Sequence, residues 1–376
     1  MAEKLTNEQQ AAVDSRERSL LVSAAAGSGK TKVLVERLFS YVEREGADLD
    51  DFLIITYTRA AASELRGKIA KALTERMERD PGNEHLRRQM LRVYRADIKT
   101  VDAFCTALLR ENCHLLGEDA RGHALRPDFR VLDENEAQVL RERVLARTLD
   151  DFYDRLTDGG ALLADTLGAG RDDSALEALV LELHAKLQAQ PYEDKWLDAQ
   201  RAFWRAVPEK VEDTTYGKIL LNEVRRKARH CRDLLSRAAQ EMCENDALNQ
   251  KYAPAFLDAS LQLGVLEEKT KEGWDASRGT AITFPRLSAV KDSDGGEMKA
   301  RMKGLWDNCK GTVKGFSEIF SASSDEAAAD LRAMAPAMLA LIDLTQEFSR
   351  RYNEEKRRKN AADFSDEEHE AIRLLI

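Results

Sequence analysis

Apolar positions in the first hundred residues alternate between two rhythms. Solid apolar runs at Ser19 to Ser23 and Phe52 to Thr56 predict buried strands, and each precedes a stretch with apolar residues three or four apart. The first such stretch, Lys32 to Val42, predicts a helix through Val33, Leu34, Leu38 and Val42; the second carries Leu65, Ile69, Ala72 or Leu73, and Met77. A shorter run, Asp97 to Val101, predicts a third strand leading into a helix with Phe104, Leu108 and Leu109. Strands alternating with helices are the signature of an α/β fold with a parallel sheet. From about Asp133 the strand signals fade, and Val139, Leu140, Val144, Leu145 and Leu149 form one helical stripe, so a second, nearly all-helical domain is expected to begin near there. Gly159-Gly160 and Gly168-Ala169-Gly170 punctuate it. The glycine-rich stretch from Lys269 to Gly315 predicts surface loops and short helices.

Composition narrows this picture. The length of 376 residues suits two compact units, and 43% hydrophobic with 33% charged residues is too apolar for a disordered chain. No apolar run approaches the roughly 20 residues that span a bilayer, and no secretory apolar region follows Met1-Ala2-Glu3-Lys4, so a cytoplasmic protein without a membrane association is expected. The five cysteines, Cys105, Cys113, Cys231, Cys243 and Cys309, are scattered without a Cys-x-x-Cys pair and are expected to be lone buried thiols. The net charge of −9 argues against a uniform nucleic-acid coat. Met1 to Cys105 holds 18 Lys+Arg against 17 Asp+Glu, however, and the remainder 40 against 50, so a local basic surface remains open.

The sharpest chemical signal is Ala24-Ala25-Ala26-Gly27-Ser28-Gly29-Lys30-Thr31, between a predicted strand and a predicted helix. Gly27 and Gly29 let backbone N–H groups turn inward around phosphates, and the positive end of the following helix adds to the attraction. Lys30 is placed to reach the β- and γ-phosphates of ATP, and the Thr31 hydroxyl to hold Mg²⁺. Ala24 stands where the general pattern has its first Gly. Upstream, Gln9 could read an adenine edge, while Thr6-Asn7-Glu8-Gln9 also has capping-box spacing, which by chemistry alone is the simpler reading.

In order along the chain, Gln9, the Ala24 to Thr31 loop, and Thr56-Tyr57-Thr58-Arg59-Ala60-Ala61-Ala62-Ser63-Glu64-Leu65-Arg66 resemble the first motifs of superfamily 1 DNA helicases of the UvrD/RecB type. Within them, Val22 to Thr31, Phe129-Arg130-Val131-Leu132-Asp133-Glu134 and Asp363-Phe364-Ser365-Asp366 resemble the AddA members of bacterial AddAB helicase-nucleases. The resemblance implies an α/β P-loop NTPase with a partial RecA-like parallel sheet and a large, mostly α-helical inserted subdomain. It divides the chain into 1–125, the start of the first RecA-like ATP-binding domain, 126–360, the inserted helices, and 361–376, the return to the RecA-like domain. It implies that Gln9 contacts adenine, that Ala24, Ala25, Ala26, Gly27, Ser28, Gly29, Lys30 and Thr31 hold the nucleotide with Lys30 and Thr31 catalytic, and that Thr56, Tyr57, Thr58, Arg59 and Thr100 touch DNA. Tyr57 replaces a usual Phe, Arg59 a usual Asn, and Asp102 a usual His.

The resemblance further implies one component of a 3′-to-5′ helicase and exonuclease that works in double-strand break repair and recombination, with single-stranded DNA, duplex ends and a second subunit of AddB type as partners. A motor of this class also needs a strand ending in Asp-Glu. Asp133-Glu134 is rejected as that motif, because Arg130 interrupts the apolar run, and the acidic motif is expected beyond the Asp363 to Asp366 phrase. The chain thus reads as an N-terminal fragment, inactive alone. Other readings are a UvrD/Rep-type helicase without nuclease, a phosphate-loop kinase, and a helical interaction module with a non-functional loop. Arg66, Lys68 and Lys71 read most simply as a solvated helix face.

Overall fold

A computed structural model describes residues 5–17, 19–25, 27–118, 122, 124–167 and 174–376. The chain divides into two compact units, Met1–Ala146 with Ser349–Ile376, and Arg147–Phe348.

In the first unit, α1 (Asn7–Asp14) precedes α2 (Lys30–Glu45), β1 (Leu53–Thr56), α3 (Arg59–Arg79), α4 (Glu84–Arg92), β2 (Asp97–Thr100), α5 (Val101–Asn112), β3 (Arg130–Val131) and α6 (Glu134–Asp154), whose later turns pass into the second unit. β1 and β2 pair in parallel, register Leu53↔Asp97 through Thr56↔Thr100. Ile54 and Ile98 join Phe39, Val42, Leu65, Ile69 and Leu73 in a core between strands and helices, whereas Leu53 and Ile55 are exposed, so β1 is covered on one face only and is not the fully buried strand expected. The predicted helices and the second and third predicted strands are therefore in place.

The run Ser19 to Ser23 is not a buried strand. It forms no ladder, and Leu21 is 94% exposed. An apolar run becomes a strand only against a partner, and among the described residues β1 and β2 pair only with each other. The stripe expected along α6 also needs correction, because Leu140, Val144, Leu145 and Leu149 are buried whereas Val139 is 63% exposed.

The second unit contains helices and connecting segments and no strand among its described residues. It comprises α7 (Asp158–Leu167), α8 (Ser174–Gln188), α9 (Glu193–Arg205), α10 (Thr215–Glu241), α11 (Asp246–Lys251), α12 (Ala253–Glu272), α13 (Trp274–Arg278), α14 (Asp292–Ile319) and most of α15 (Ser324–Arg358). Its main core lies among α10, α12 and α14, around Val224, Leu235, Phe256, Leu263, Met302 and Trp306. Residues 292–315, within the stretch expected as loops and short helices, belong to the long helix α14, broken at Gly296 (φ 47°, ψ −136°). Met302, Trp306, Cys309 and Phe316 are buried at helical spacing, and that burial outweighs the roughly 1 kcal/mol that each interior glycine costs a helix. Of the five thiols Cys243 is exposed and the other four are buried.

At the end of α15 the chain re-enters the first unit through β4 (Ala361–Ala362), parallel to β3, and α16 (Phe364–Leu375). Asn360 makes the turn at φ 48°, a left-handed conformation that Asn tolerates better than most residues. Its amide accepts from the Arg126 N–H at 2.9 Å and donates to Asp128 at 2.9 Å.

Candidate nucleotide site and strand-end turns

The loop before α2 is shaped by its two glycines. Gly27 has φ 77° and Gly29 φ 84°, both left-handed, and Gly29 caps α2 with no side chain of its own. The first N–H groups of α2 therefore stay available at the positive end of the helix. Ser28 tightens the turn, its hydroxyl donating to the Ala25 carbonyl at 2.7 Å. Lys30 and Thr31 stand exposed in the first turn of α2, and the Lys30 ammonium folds back on the Ala24 carbonyl and on that of Ala25, at 2.9 Å. Ala26 lies outside the described residues.

Gln9 serves two structures at once. With Thr6 it forms the capping box of α1, the Gln9 N–H donating to Thr6 Oγ1 at 3.2 Å and the Thr6 N–H to Gln9 Oε1 at 3.0 Å. Its Nε2 donates to the Ser28 carbonyl at 3.0 Å, tying the helix to the phosphate loop. Gly29 is what permits this approach, since a Cβ there would stand 3.2 Å from Gln9 Nε2. The spacing of Thr6 and Gln9 revealed the cap; nothing in the sequence revealed the bond to Ser28.

Gly27, Ser28, Gly29, Lys30 and Thr31 open onto a cavity of about 980 Å³, closed on the other side by α3. Here Lys68 and Lys71 line the cavity wall, with Lys68 paired to Glu64 at 2.6 Å. Lys68 and Lys71 are exposed, as a solvated face would have them, whereas Arg66 is half-buried and reaches the carbonyls of Ala96 (3.3 Å) and Ile98 (3.0 Å). The clamp between the two helices escaped the sequence reading. Arg76 pairs with Glu36 at 2.7 Å and Glu43 at 3.1 Å and lies over the Phe39 ring at 4.1 Å. Arg37 fixes α1 in the same way, donating to the carbonyls of Ala12 and Ser15, each at 2.6 Å. In helices these arginines look like ordinary surface charges, and only tertiary placement gives them work.

The other predicted residues gather at the ends of β1 and β2. Thr56 and Thr100 are register partners, so the turns after the two strands lie side by side. Thr58 caps α3, accepting from the Ala61 N–H at 3.1 Å, and Thr100 caps α5, accepting from the Ala103 N–H at 3.2 Å. Two helices thus present their positive ends at one sheet edge. Arg59 is exposed, and Tyr57 is 98% exposed, with a ring that packs on no core. Asp102 sits in the first turn of α5, where a carboxylate suits the helix dipole.

Asp133 and Glu134 have other work. Asp133 accepts from the Glu136 N–H at 2.9 Å at the start of α6, and Glu134 pairs with Arg141. The late phrase is also a cap, a capping box between Asp363 and Asp366 that starts α16. Beneath it lies Lys356, 1% exposed, 2.9 Å from Asp363 and 2.7 Å from Asp366, with the Tyr352 hydroxyl donating to Asp363 at 2.9 Å. Burial works against ionisation of Asp363, but the Lys356 charge, with hydrogen bonds from Lys356, the Asp366 N–H and Tyr352, outweighs it and holds the carboxyl down at about 2. Burial prevails at Asp366 and pushes that carboxyl up. Among the described residues no group of three or more His, Cys, Asp or Glu could hold a metal ion. No helix among them is long and apolar enough to cross a membrane.

Comparison with known proteins places this geometry. The family model of the UvrD/REP helicase N-terminal domain matches residues 5–376. Similar proteins include the AddA polypeptide of the ATP-dependent helicase/nuclease of Acetivibrio thermocellus, 32% identical over 99% of this chain and 30% of the relative. That of Alkaliphilus oremlandii is 35% identical over 98% and 30%, and that of Clostridium perfringens 31% identical over 100% and 30%. The chain thus spans about 30% of the length of these relatives.

Proposed function

The chain belongs to the UvrD/REP helicase N-terminal domain family, and from that membership we propose that it is the ATP-binding portion of an ATP-dependent DNA helicase/nuclease. The observation that carries the reading is the loop itself, with Gly27 and Gly29 both left-handed and Lys30 and Thr31 beside a cavity large enough for a nucleotide. In this reading the N–H groups at the start of α2 hold the β-phosphate, and Lys30 leaves the Ala24 and Ala25 carbonyls to neutralise the γ-phosphate. Gln9, already bonded to the loop at Ser28, lies beside the adenine and makes α1 sense what the loop holds. Mg²⁺ fits the donor set, since it keeps several waters and takes only one or two protein oxygens together with the phosphates. The Thr31 hydroxyl would be that oxygen, and the bound ion would neutralise phosphate charge.

Thr56, Tyr57, Thr58, Arg59 and Thr100 form the DNA face in this proposal. The exposed Tyr57 ring stacks on a base, Arg59 meets phosphate, and the capped helix ends favour the backbone of a single strand. Residues 1–125 are then the start of a RecA-like domain, 126–360 a helical insertion, and 361–376 the return. The helical second unit and the β3–β4 pairing that brings residue 361 back beside residue 130 support this assignment. The proposal extends to the parent activity, a 3′-to-5′ helicase and exonuclease acting on duplex ends in double-strand break repair in the cytoplasm, with a second protein of AddB type.

Binding of a fluorescein-labelled dT16 by the 376-residue chain tests the DNA face. Tyr57→Ala should weaken binding by roughly 1–3 kcal/mol and Tyr57→Phe should be close to neutral, because stacking uses the ring face and not the hydroxyl. At 98% exposure neither change should move the melting temperature. Unchanged affinity in Tyr57→Ala would remove Tyr57 from the DNA face.

A further inference from the structure

Between α13 and α14 the chain runs from residue 279 to 291 without regular structure, beside a cavity of about 450 Å³. Leu266, Ile282, Phe284, Val313 and Phe316 line its walls, and Arg278, Lys310 and Lys314 are the charged residues at its rim, with no acidic residue among the lining groups. Lys310 and Lys314 are exposed, one turn apart on α14, and neither has an ion-pair partner among the described residues. Like charges at this spacing repel along a helix, and although Asp307 and Glu318 lie one turn away on α14, neither forms an ion pair with these lysines among the described residues. From Arg278 to Lys314 the chain holds 8 Lys+Arg against 4 Asp+Glu, although the whole chain carries −9.

The connecting segment is pinned toward its two ends, where the Val290 carbonyl also accepts from Lys299 at 2.7 Å. The Thr283 N–H donates to Gln262 at 2.7 Å, and the Ala289 carbonyl accepts from Lys251 at 2.9 Å. Between them no strand ladder forms among the described residues, so this stretch of backbone lacks the partners that helix or sheet would give it. Apolar pocket, basic rim and unladdered backbone match one kind of occupant. We infer that this groove docks an acidic peptide segment of a protein partner, which lays extended backbone beside residues 284–288 and sets one apolar side chain into the cavity.

Nucleic acid fits less well. Phe284 packs edge-on against Trp306 at 4.8 Å and Phe320 against Trp274 at 4.9 Å, which commits these rings to the core and leaves no stacking platform for bases. The inference is independent of the nucleotide reading, because every residue involved lies in the second unit.

Fluorescence anisotropy on the 376-residue chain tests it, with labelled heptapeptides Glu-Glu-Asp-Xaa-Asp-Glu-Glu whose central residue is Phe, Leu or Ala. The Phe or Leu peptide should bind at least tenfold tighter than the Ala peptide, and binding should weaken as NaCl rises. Lys310→Glu with Lys314→Glu, both at exposed positions, should retain the helical circular dichroism and lose at least tenfold in affinity. Equal affinity for all three peptides, or unchanged binding by the double variant, would overturn the inference. So would a dT12 oligonucleotide that binds with the same dependence on Lys310 and Lys314 and displaces the peptide.

Discussion

Removing the charge of Lys356 should destabilise the first unit more than any surface substitution. Lys356→Met keeps an unbranched stem and deletes the ammonium, which lies 4.1 Å from the Tyr352 ring centroid and is the one cation among the described residues that pairs with Asp363 and Asp366. Two carboxylates are then left against each other in a buried setting, and loss of one partner from such a cluster costs about 3–5 kcal/mol. Asp366 keeps 22% side-chain exposure, which favours the lower end, about 3 kcal/mol. With a urea slope of about 1–3 kcal/mol/M, the midpoint of the circular dichroism transition at pH 7 should fall by about 1–3 M. The pH dependence separates charge loss from simple repacking. In the native protein Asp363 is held at about 2 against an ordinary 3.8, so its stabilisation is complete above pH 4 and is lost as pH falls toward 2. In the variant both carboxyls, without their cation, are pushed up by burial, so its stability falls as pH rises through their raised values. The difference between the proteins should therefore be large at pH 7 and shrink toward pH 3. Hydrogen exchange across residues 359–376 should accelerate about 100-fold at pH 7, matching about 3 kcal/mol. A midpoint shift below about 0.3 M, or one that does not vary with pH, would refute the reasoning.

Other perturbations separate structural from chemical roles. Gly217→Ala drives a Cβ into the Val211 carbonyl, a backbone clash that should cost about 3 kcal/mol or more and lower the melting temperature by several degrees; an unchanged Tm would contradict the packing at the start of α10. Asp133→Asn with Glu134→Gln should leave nucleotide affinity within twofold and cost only about 1 kcal/mol in stability through the weakened start of α6, and a large loss of nucleotide affinity would show that these acids belong to the site.

How far the chain could be read in advance depended on where each element finds its partners. The helices α2 and α3 and the strands β1 and β2 were legible because their apolar positions face a core within the same stretch of chain, and α5 was legible from its own period although its Leu109 packs with Phe129 and Ala362. Ser19 to Ser23 carried the same apolar signal and misled, since a strand is defined by hydrogen bonds to another segment and not by its own side chains. Residues 292–315 misled in the opposite sense. Their glycines looked like loop punctuation, while Met302, Trp306, Cys309 and Phe316 supplied a helical face that only the packing on α10 and α12 makes decisive. At the site, the loop residues from Gly27 to Thr31 were legible because left-handed glycines before a Lys-Thr helix start have a local mechanical purpose. The bonds from Gln9 to Ser28 and from Arg66 to the β2 carbonyls were not, since they join residues 19 to 32 positions apart through side chains with no local signature.

The central claim, that this loop holds the phosphates of ATP, is tested most directly by isothermal titration of the 376-residue chain with Mg·ATP beside its Lys30→Ala variant. Lys30 is exposed and bonds only loop carbonyls, so the variant should melt as the native protein does. The account predicts one site per chain in the native protein and an affinity at least tenfold weaker in Lys30→Ala, a loss of about 1.4 kcal/mol or more. Equal affinity in the two proteins, or binding by neither, would contradict it.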